Sequence, residues 1–472
     1  MHFLAPALRL AAAVAVLGGL TFMQSNHPVR AVAELSAPFD PNAMDTAASV
    51  CTNFFGYATG TWRKNHSIPA AYLEYGYIEA LEDHTRSILQ TTLERARAHP
   101  AALGSEQQKI GAFYGACLDT AAIERTGLTP LATEFSRIAA LQSRADIGAE
   151  LAHLHAIGVD ATFAVNPQPD YENSEAMIAS IDQSGLGLSE RDYYLRTDAA
   201  SRKLRMQYRA HVTKMLAMSG DARAARDAQA AIALESTLAQ ASKPAADLRD
   251  PAAVDHPMRL AGFATLAPHV AFRTYFAAVD IASSGTINVD EPAFVRAVDR
   301  IIAVAPLSEW RAYLRWYLID AYARSLPKRF EDEAFAFNDG ILSGAKEQPP
   351  RWKRCIVEED RLLGEAVGRA YVAVAFPPSA KARALDMSQR IRAAYRAEMQ
   401  ALTWMSASTK TIAIAKLDAT GLKVGYLDRW RSYVGYTVGS TSYTEDVLRG
   451  RAFASALLPG KSASPSIIHS RT

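Results

Sequence analysis

Asp290-Glu-Pro-Ala-Phe-Val-Arg-Ala-Val-Asp-Arg-Ile-Ile-Ala-Val304, running on through Ala305-Pro306-Leu-Ser308-Glu-Trp310, decides the fold class. Asp290 can cap a helix, and Glu291 and Pro292 suit a first turn, where an N–H has no intrahelical acceptor and the helix dipole favours an acid. Phe294, Val295, Val298, Ile301 and Ile302 then recur on one face at the helical period. Pro306 ends the run. Ser308 can cap a second helix that carries Trp310, Leu314, Tyr317 and Leu318.

The same period extends in both directions. Over 384–402, Met387, Ile391, Tyr395, Met399 and Leu402 repeat at four, four, four and three, with Arg, Gln and Glu on the other faces. Helices are predicted over 84–98, 106–117, 145–157, 203–218, 222–241 and 406–417. The best strand signal is the short alternation at 161–166. Loops are expected at 166–173, with two prolines and two asparagines, at 243–258 and at 340–353. No repeat of fixed period is present. The pattern predicts a mainly α protein with minor β content and a disordered C-terminal tail over 458–472, where Ser, Pro, Gly and Lys replace the amphipathic period.

The chain has 472 residues, 49% apolar and 21% charged, with a net charge of +2. That is enough for a large core, and it supplies no field to recruit nucleic acid. Nucleic-acid partners are therefore not expected. His2 and Arg9 precede an apolar run from Leu10 to Met23, and small residues follow at Ala31-Val32-Ala33. This reads as a signal peptide over 1–33, with a retained N-terminal membrane anchor as the alternative, and it implies export to the periplasm or beyond the cell. Cys51, Cys117 and Cys355 are the three cysteines, and spacing leaves open which two of them pair.

Recognisable chemistry is scarce. No His begins an HExxH, the helical zinc motif that sets two imidazoles on one face. Glu150 and His153, three apart, could share a helix face, whereas His153 and His155, two apart, do not. A solvated helix face is the expected reading there. No GxSxG or phosphate loop occurs. Catalytic and metal-ligating residues are accordingly assigned as none. Aromatic residues cluster after Cys51, at Phe54, Phe55, Tyr57, Trp62, Tyr72, Tyr75 and Tyr77. Core packing is expected for them, with the wall of a peptide-binding cleft as the alternative.

Cys51-Thr-Asn-Phe-Phe-Gly-Tyr-Ala-Thr-Gly-Thr-Trp62, continuing through Asn65 to Ile68-Pro69, resembles the opening of the neprilysin-like zinc endopeptidases. Further motifs follow in that family's order. They include Lys109-Ile-Gly-Ala-Phe-Tyr114, Cys117-Leu-Asp119, Gly185-Leu-Gly-Leu-Ser-Glu-Arg-Asp-Tyr-Tyr-Leu195, Tyr313-Leu-Arg-Trp316 and Phe335-Ala-Phe337. Arg351-Trp-Lys-Arg-Cys355, Gly364-Glu365, Leu402-Thr-Trp-Met405, Lys423-Val-Gly-Tyr426 and Asp428-Arg-Trp430 complete the series. Each motif is weak alone; their order and spacing carry the resemblance, which runs from about Phe39 to about Tyr433.

The resemblance implies the large helical lobe of the neprilysin-like peptidase fold, spanning 51–450 after a linker at 34–50, with a non-family tail at 451–472. It implies a disulfide between Cys117 and Cys355 and a free thiol at Cys51. Complete members bind Zn through two His and a Glu beyond this region and cleave oligopeptides. The expectation is thus the N-terminal domain of a zinc metalloendopeptidase, truncated and inactive alone, with an exposed apolar surface where the catalytic lobe would dock. The alternative is a non-catalytic module that binds oligopeptides or serves a catalytic lobe on another chain. No cofactor is expected in this chain itself. Glu74 and Glu82 stand where many members have Arg, Lys243-Pro244 replaces a more usual Trp-Thr, and Leu427 a usual Pro.

Overall fold

The structure is a computed structural model that describes residues 40–457, apart from 174, 271, 279–284 and 440–441. The expected signal peptide, the first six residues of the expected linker (34–39) and the tail at 458–472 lie outside the described residues. The described residues divide into two compact units, one ending at His66 and the other beginning at Ser67.

In the first unit, the helix Phe54–Asn65 is capped by Asn53, whose side chain accepts the N–H of Gly56 at 2.9 Å. The preceding stretch is not a bare linker. Asp45 N–H donates to the Tyr57 carbonyl at 2.8 Å, Thr61 Oγ1 to the Met44 carbonyl at 2.7 Å, and Lys64 pairs with Asp45 at 2.7 Å. Gly60 permits this approach, because a Cβ there would sit 2.6 Å from the Asp45 Cβ.

The second unit is mainly helical, as the apolar periods predict. The helix Leu307–Tyr322 buries Trp310, Tyr313, Leu314, Trp316, Leu318, Ile319 and Tyr322. It packs against Ala224–Ala241, Ala199–Met218 and Ala132–Ala139. A second focus is Glu106–Leu118, which lies between Tyr77–Ala98 and the long helix Arg351–Ala375. Gly111 makes that crossing close: a Cβ would lie 2.5 Å from the Ala96 carbonyl oxygen. Cys117 and Cys355 are bonded across the second contact, and Cys51 is a free, exposed thiol.

Four short strands form one sheet in the order β1-β2-β4-β3: β1 (Phe163–Pro169), β2 (Met177–Gln183), β3 (Pro257–Arg259) and β4 (Thr286–Val289). β1 and β2 are antiparallel with Phe163 opposite Gln183, β2 and β4 run parallel, and β3 returns antiparallel to β4. The strand expected at 161–166 thus continues through Pro167 and Pro169, into a stretch expected to be loop. Proline is tolerated because β1 is an edge strand, where half of the N–H groups need no ladder partner.

Other local expectations also change. Asp290 does not cap the helix Pro292–Val304; Ser180 Oγ and Asn288 Nδ2 donate to it at 2.5 and 2.7 Å. Ser308 does not cap the next helix, which begins at Leu307 directly after Pro306. The loop expected over 340–353 opens inside the π-helix Phe335–Leu342, and the helix Arg351–Ala375 takes over after Pro350. The proposed boundary at 451 falls within the helix Tyr443–Ala456. There the Arg451 guanidinium lies over the Tyr322 ring, 4.6 Å from its centroid, so these residues belong to the folded body.

Candidate functional site

The His and Glu residues that sequence spacing brings nearest to a metal site do not converge. Glu150 is buried, and its Oε2 accepts Arg137 at 3.1 Å. His153 Nε2 pairs instead with Glu134 at 2.5 Å, and His155 meets the Tyr275 hydroxyl at 2.5 Å and the Ala161 carbonyl at 2.9 Å. The expected solvated face is in fact packed, because the helix Ile147–Ala156 buries Ile147, Glu150, Leu151, Ala152 and Leu154. Among the described residues, no group of three His, Cys, Asp or Glu could hold a metal ion.

The most perturbed carboxyl with partners is Glu235, on Ala224–Ala241. It is fully buried and accepts the hydroxyls of Tyr194 and Tyr208 at 2.8 Å each and Trp316 Nε1–H at 3.2 Å. Burial pushes it up to about 8, against the three donors that favour its anion. Tyr194 Oη in turn accepts the Leu188 N–H at 2.9 Å, and Tyr313 Oη donates to the Gly185 carbonyl at 3.1 Å. A Cβ on Gly187 would lie 1.8 Å from Tyr208 Oη. The Gly185–Leu195 motif is therefore bonded onto a sealed polar knot. With no path to solvent, Glu235 positions this loop and is not placed to meet a substrate. Sequence reading quoted the loop but missed Glu235, which lies forty residues further on with no local signal.

A cleft of about 280 Å³ opens beside the same loop, with Gln183, Leu186, Arg191, Lys243 and Leu248 in its lining. Lys243, one of the departures noted above, lies 2.6 Å from Glu291, so its charge is already matched. Two further knots explain motif residues. Lys353 Nζ reaches Tyr72 Oη at 3.0 Å and Asp83 at 2.5 Å, and the Tyr72 hydroxyl donates to Asp83. Glu365 accepts the Arg431 N–H at 2.5 Å, while the Tyr433 hydroxyl accepts the Glu365 N–H at 3.1 Å. These contacts tie the segment after Lys423 to Arg351–Ala375.

The aromatic residues after Cys51 do not form a core. None of the seven is buried, and Phe54 and Phe55 are 65% and 63% exposed on the helix Phe54–Asn65. Tyr77 is exposed on the other unit. A second departure from burial lies in the helices Pro378–Ala401 and Ala407–Ala419, neither of which buries any residue. Met387, Ile391 and Tyr395, the row whose period predicted the first of them, are 57–59% exposed. Trp404 and Ile412 are more exposed still. Among the described residues, no helix is long and apolar enough to cross a membrane.

Comparison with known proteins gives these surfaces a context. A family model described as Peptidase family M13 matches residues 50–427. Endothelin-converting enzyme 1 of Mus musculus is 28% identical over 401 residues, covering 82% of this chain and 51% of the relative. Endothelin-converting enzyme-like 1 of Rattus norvegicus is 26% identical over 417 residues, covering 85% and 53%. Among solved structures, zinc metalloprotease ZMP1 of Mycobacterium tuberculosis in complex with an inhibitor superposes with a TM-score of 0.82 at 28% identity, over 88% of this chain and 64% of that one. PEPO of Lactobacillus rhamnosis shares the fold, with a TM-score of 0.76 at 21% identity. The chain spans about half the length of the curated relatives that it matches.

Proposed function

The chain belongs to peptidase family M13, and from that premise we propose that it is the helical portion of a zinc metallopeptidase, which hydrolyses oligopeptides only together with a metal-bearing portion. The observation that carries this reading is the match over residues 50–427, joined to a fold shared with ZMP1 across 64% of that longer chain. The donor set of the described residues does not fit zinc, since His153, His155 and Glu150 are each committed to separate protein partners. No catalytic step is therefore assigned to these residues. Their role is to build and hold a helical wall: the Glu235 knot fixes one loop, and the Cys117–Cys355 bond joins two of its helices.

Export supports the same reading. The apolar run at Leu10–Met23 has the pattern of a leader, and a buried disulfide suits an oxidising compartment. Fractionation of cells carrying the tagged gene tests this, and a wholly cytosolic product would refute it.

The activity test is direct. The purified chain is assayed against a mixed oligopeptide pool with zinc added, alone and after co-expression with the metal-bearing portion of a relative. The expected result is no cleavage alone and chelator-sensitive cleavage in the pair. Chelator-sensitive cleavage by the chain alone would overturn the proposal. The exposed Phe54 and Phe55 favour a second reading, peptide binding without cleavage, which the same preparation tests by fluorescence titration with the pool.

A further inference from the structure

We infer that Asp182 and Asp290 share one proton through the Ser180 hydroxyl, and that this proton latches the segment 251–259 onto the sheet, so that the segment is held at acid pH and freed as pH rises. The inference is independent of the function proposed above.

The parallel pairing of β2 and β4 sets Ser180 beside Asn288. Alternate residues of a strand share a face, so Asp182 and Asp290 follow on that same face. Ser180 and Asn288 are fully buried. Ser180 Oγ lies 2.8 Å from Asp182 Oδ1 and 2.5 Å from Asp290 Oδ1. A hydroxyl carries one hydrogen. Given to Asp290, it leaves two oxygens facing each other at Asp182 unless a carboxyl supplies a second hydrogen. Given to Asp182, it leaves the same need at Asp290. One proton on the pair completes both contacts, and it belongs to the pair and not to either residue. The remaining donors are amides: Asn166 Nδ2 reaches Asp182 Oδ2 at 2.7 Å, and Asn288 Nδ2 reaches Asp290 Oδ1 at 2.7 Å.

Asn288 carries the state of the pair to the segment 251–259. Its Nδ2 also donates to the Val254 carbonyl at 2.8 Å, and its Oδ1 accepts the His256 N–H at 2.7 Å. The Val289 N–H adds a bond to the His256 carbonyl at 3.2 Å. Beyond these, the segment is attached through β3, a strand of only three residues whose Pro257 has no N–H to give. So short a strand belongs to the part of a fold that opens locally at low cost. Displacing Asp290 removes one of the bonds that orient Asn288, and with it the clamp on Val254 and His256.

The groups around the pair add no compensating cation. Asp255 shares its surroundings, because burial and then Asp290, Asp255 and Asp182 push the Tyr171 hydroxyl up. Lys243 is matched by Glu291 at 2.6 Å. His256 has its Nδ1 enclosed without a hydrogen-bond partner. Burial, and then the Asp182 charge, raise Asp290 from 3.8 to about 6 against the bonds from Ser180 and Asn288. In the freed segment the carboxyl returns to its ordinary value. The latch is therefore fully set below that value and is lost as pH rises through the folded one. Between pH 5 and pH 7.5 the two values make local opening about tenfold easier.

The test is amide hydrogen exchange of the full chain at pH 5 and pH 7.5, read by mass spectrometry as protection factors with the intrinsic pH dependence of exchange divided out. In the wild-type chain, protection over 251–259 should fall about tenfold at the higher pH. Asp290→Asn keeps an oxygen acceptor for Ser180 and Asn288 and carries no charge, so its segment should stay equally protected at both. Asp182→Asn removes the neighbouring charge and should shrink the response; it keeps the inference testable if the first variant fails to fold. Peptides from the helix Glu106–Leu118 are the control, with the same pH response in all three proteins. An unchanged wild-type segment, or a tenfold response that survives in both variants, would overturn the latch. Millimolar calcium that restores wild-type protection at pH 7.5, and does nothing in the variants, would assign the carboxyls to a divalent cation and refute the shared proton.

Discussion

Replacing Glu235 by Gln should remove a pH dependence of stability that the wild-type chain displays between pH 5 and pH 8. Burial raises this carboxyl from 4.5 to about 8 in the folded chain. The folded state therefore keeps its proton where the unfolded state has lost it. The resulting stability is fully present below the unfolded value and is lost as pH rises through the folded one. At about 1.36 kcal/mol per unit, a gap of roughly three and a half units sets a ceiling near 5 kcal/mol, of which about 3 kcal/mol disappears between pH 5 and pH 8. Asp290 and Asp320, each raised to about 6 by burial, slope in the same direction, so the comparison is between proteins and not between pH values alone. Gln keeps an acceptor for Tyr208 and Trp316 and carries no charge. The assay is urea unfolding at half-unit pH steps, followed by tryptophan fluorescence, for which Trp316 is a local reporter because it bonds to Glu235. The wild-type curve should fall by about 3 kcal/mol more than that of the variant across the window. Parallel curves would refute the picture of a protonated, buried Glu235.

Three further outcomes follow from the packing. Replacing Cys117 and Cys355 together by Ala should lower stability by about 5 kcal/mol in the chain-entropy treatment of a loop this long, seen as a lowered urea midpoint that reductant no longer shifts. Gly111→Ala should cost about 1–3 kcal/mol, since its Cβ meets the Ala96 carbonyl at 2.5 Å and backbone must move; an unchanged melting temperature would contradict the close crossing. Glu365→Gln should free the segment around Arg431 by weakening a charge-assisted bond of about 1.5–3 kcal/mol, read as faster limited proteolysis between Lys423 and Tyr436 with little change in global unfolding.

The motif positions separate into those whose reason is local and those whose reason is distant. Gly60 is explained by Asp45, fifteen residues away, and Gly187 by Tyr208. Glu365 is explained only by Arg431 and Tyr433, more than sixty residues on and beyond two intervening helices. The order of motifs could therefore be read along the chain while the role of each could not, because a hydrogen-bond partner leaves no mark on its neighbours in sequence. Glu235 shows the limit most plainly. A single Glu on an alanine-rich helix carries no pattern, and only the convergence of two tyrosines and a tryptophan gives it a function.

By itself the sequence determined that the protein is mainly helical, where many of its helices run, though not the longest, Arg351–Ala375, and which family its motifs follow. These are properties of local periodicity and order, and they survive without knowledge of any contact. Only the tertiary structure decided that Asp290 serves the sheet and not its own helix, that Pro167 and Pro169 sit in an edge strand, and that the chain divides after His66. It also decided the fate of the two best apolar rows. Phe294, Val295, Val298, Ile301 and Ile302 are buried, whereas Met387, Ile391 and Tyr395 are not. Both rows have the same period, because amphipathic spacing records that a helix has an apolar face; what covers that face is set by residues far away in sequence or on another folded segment.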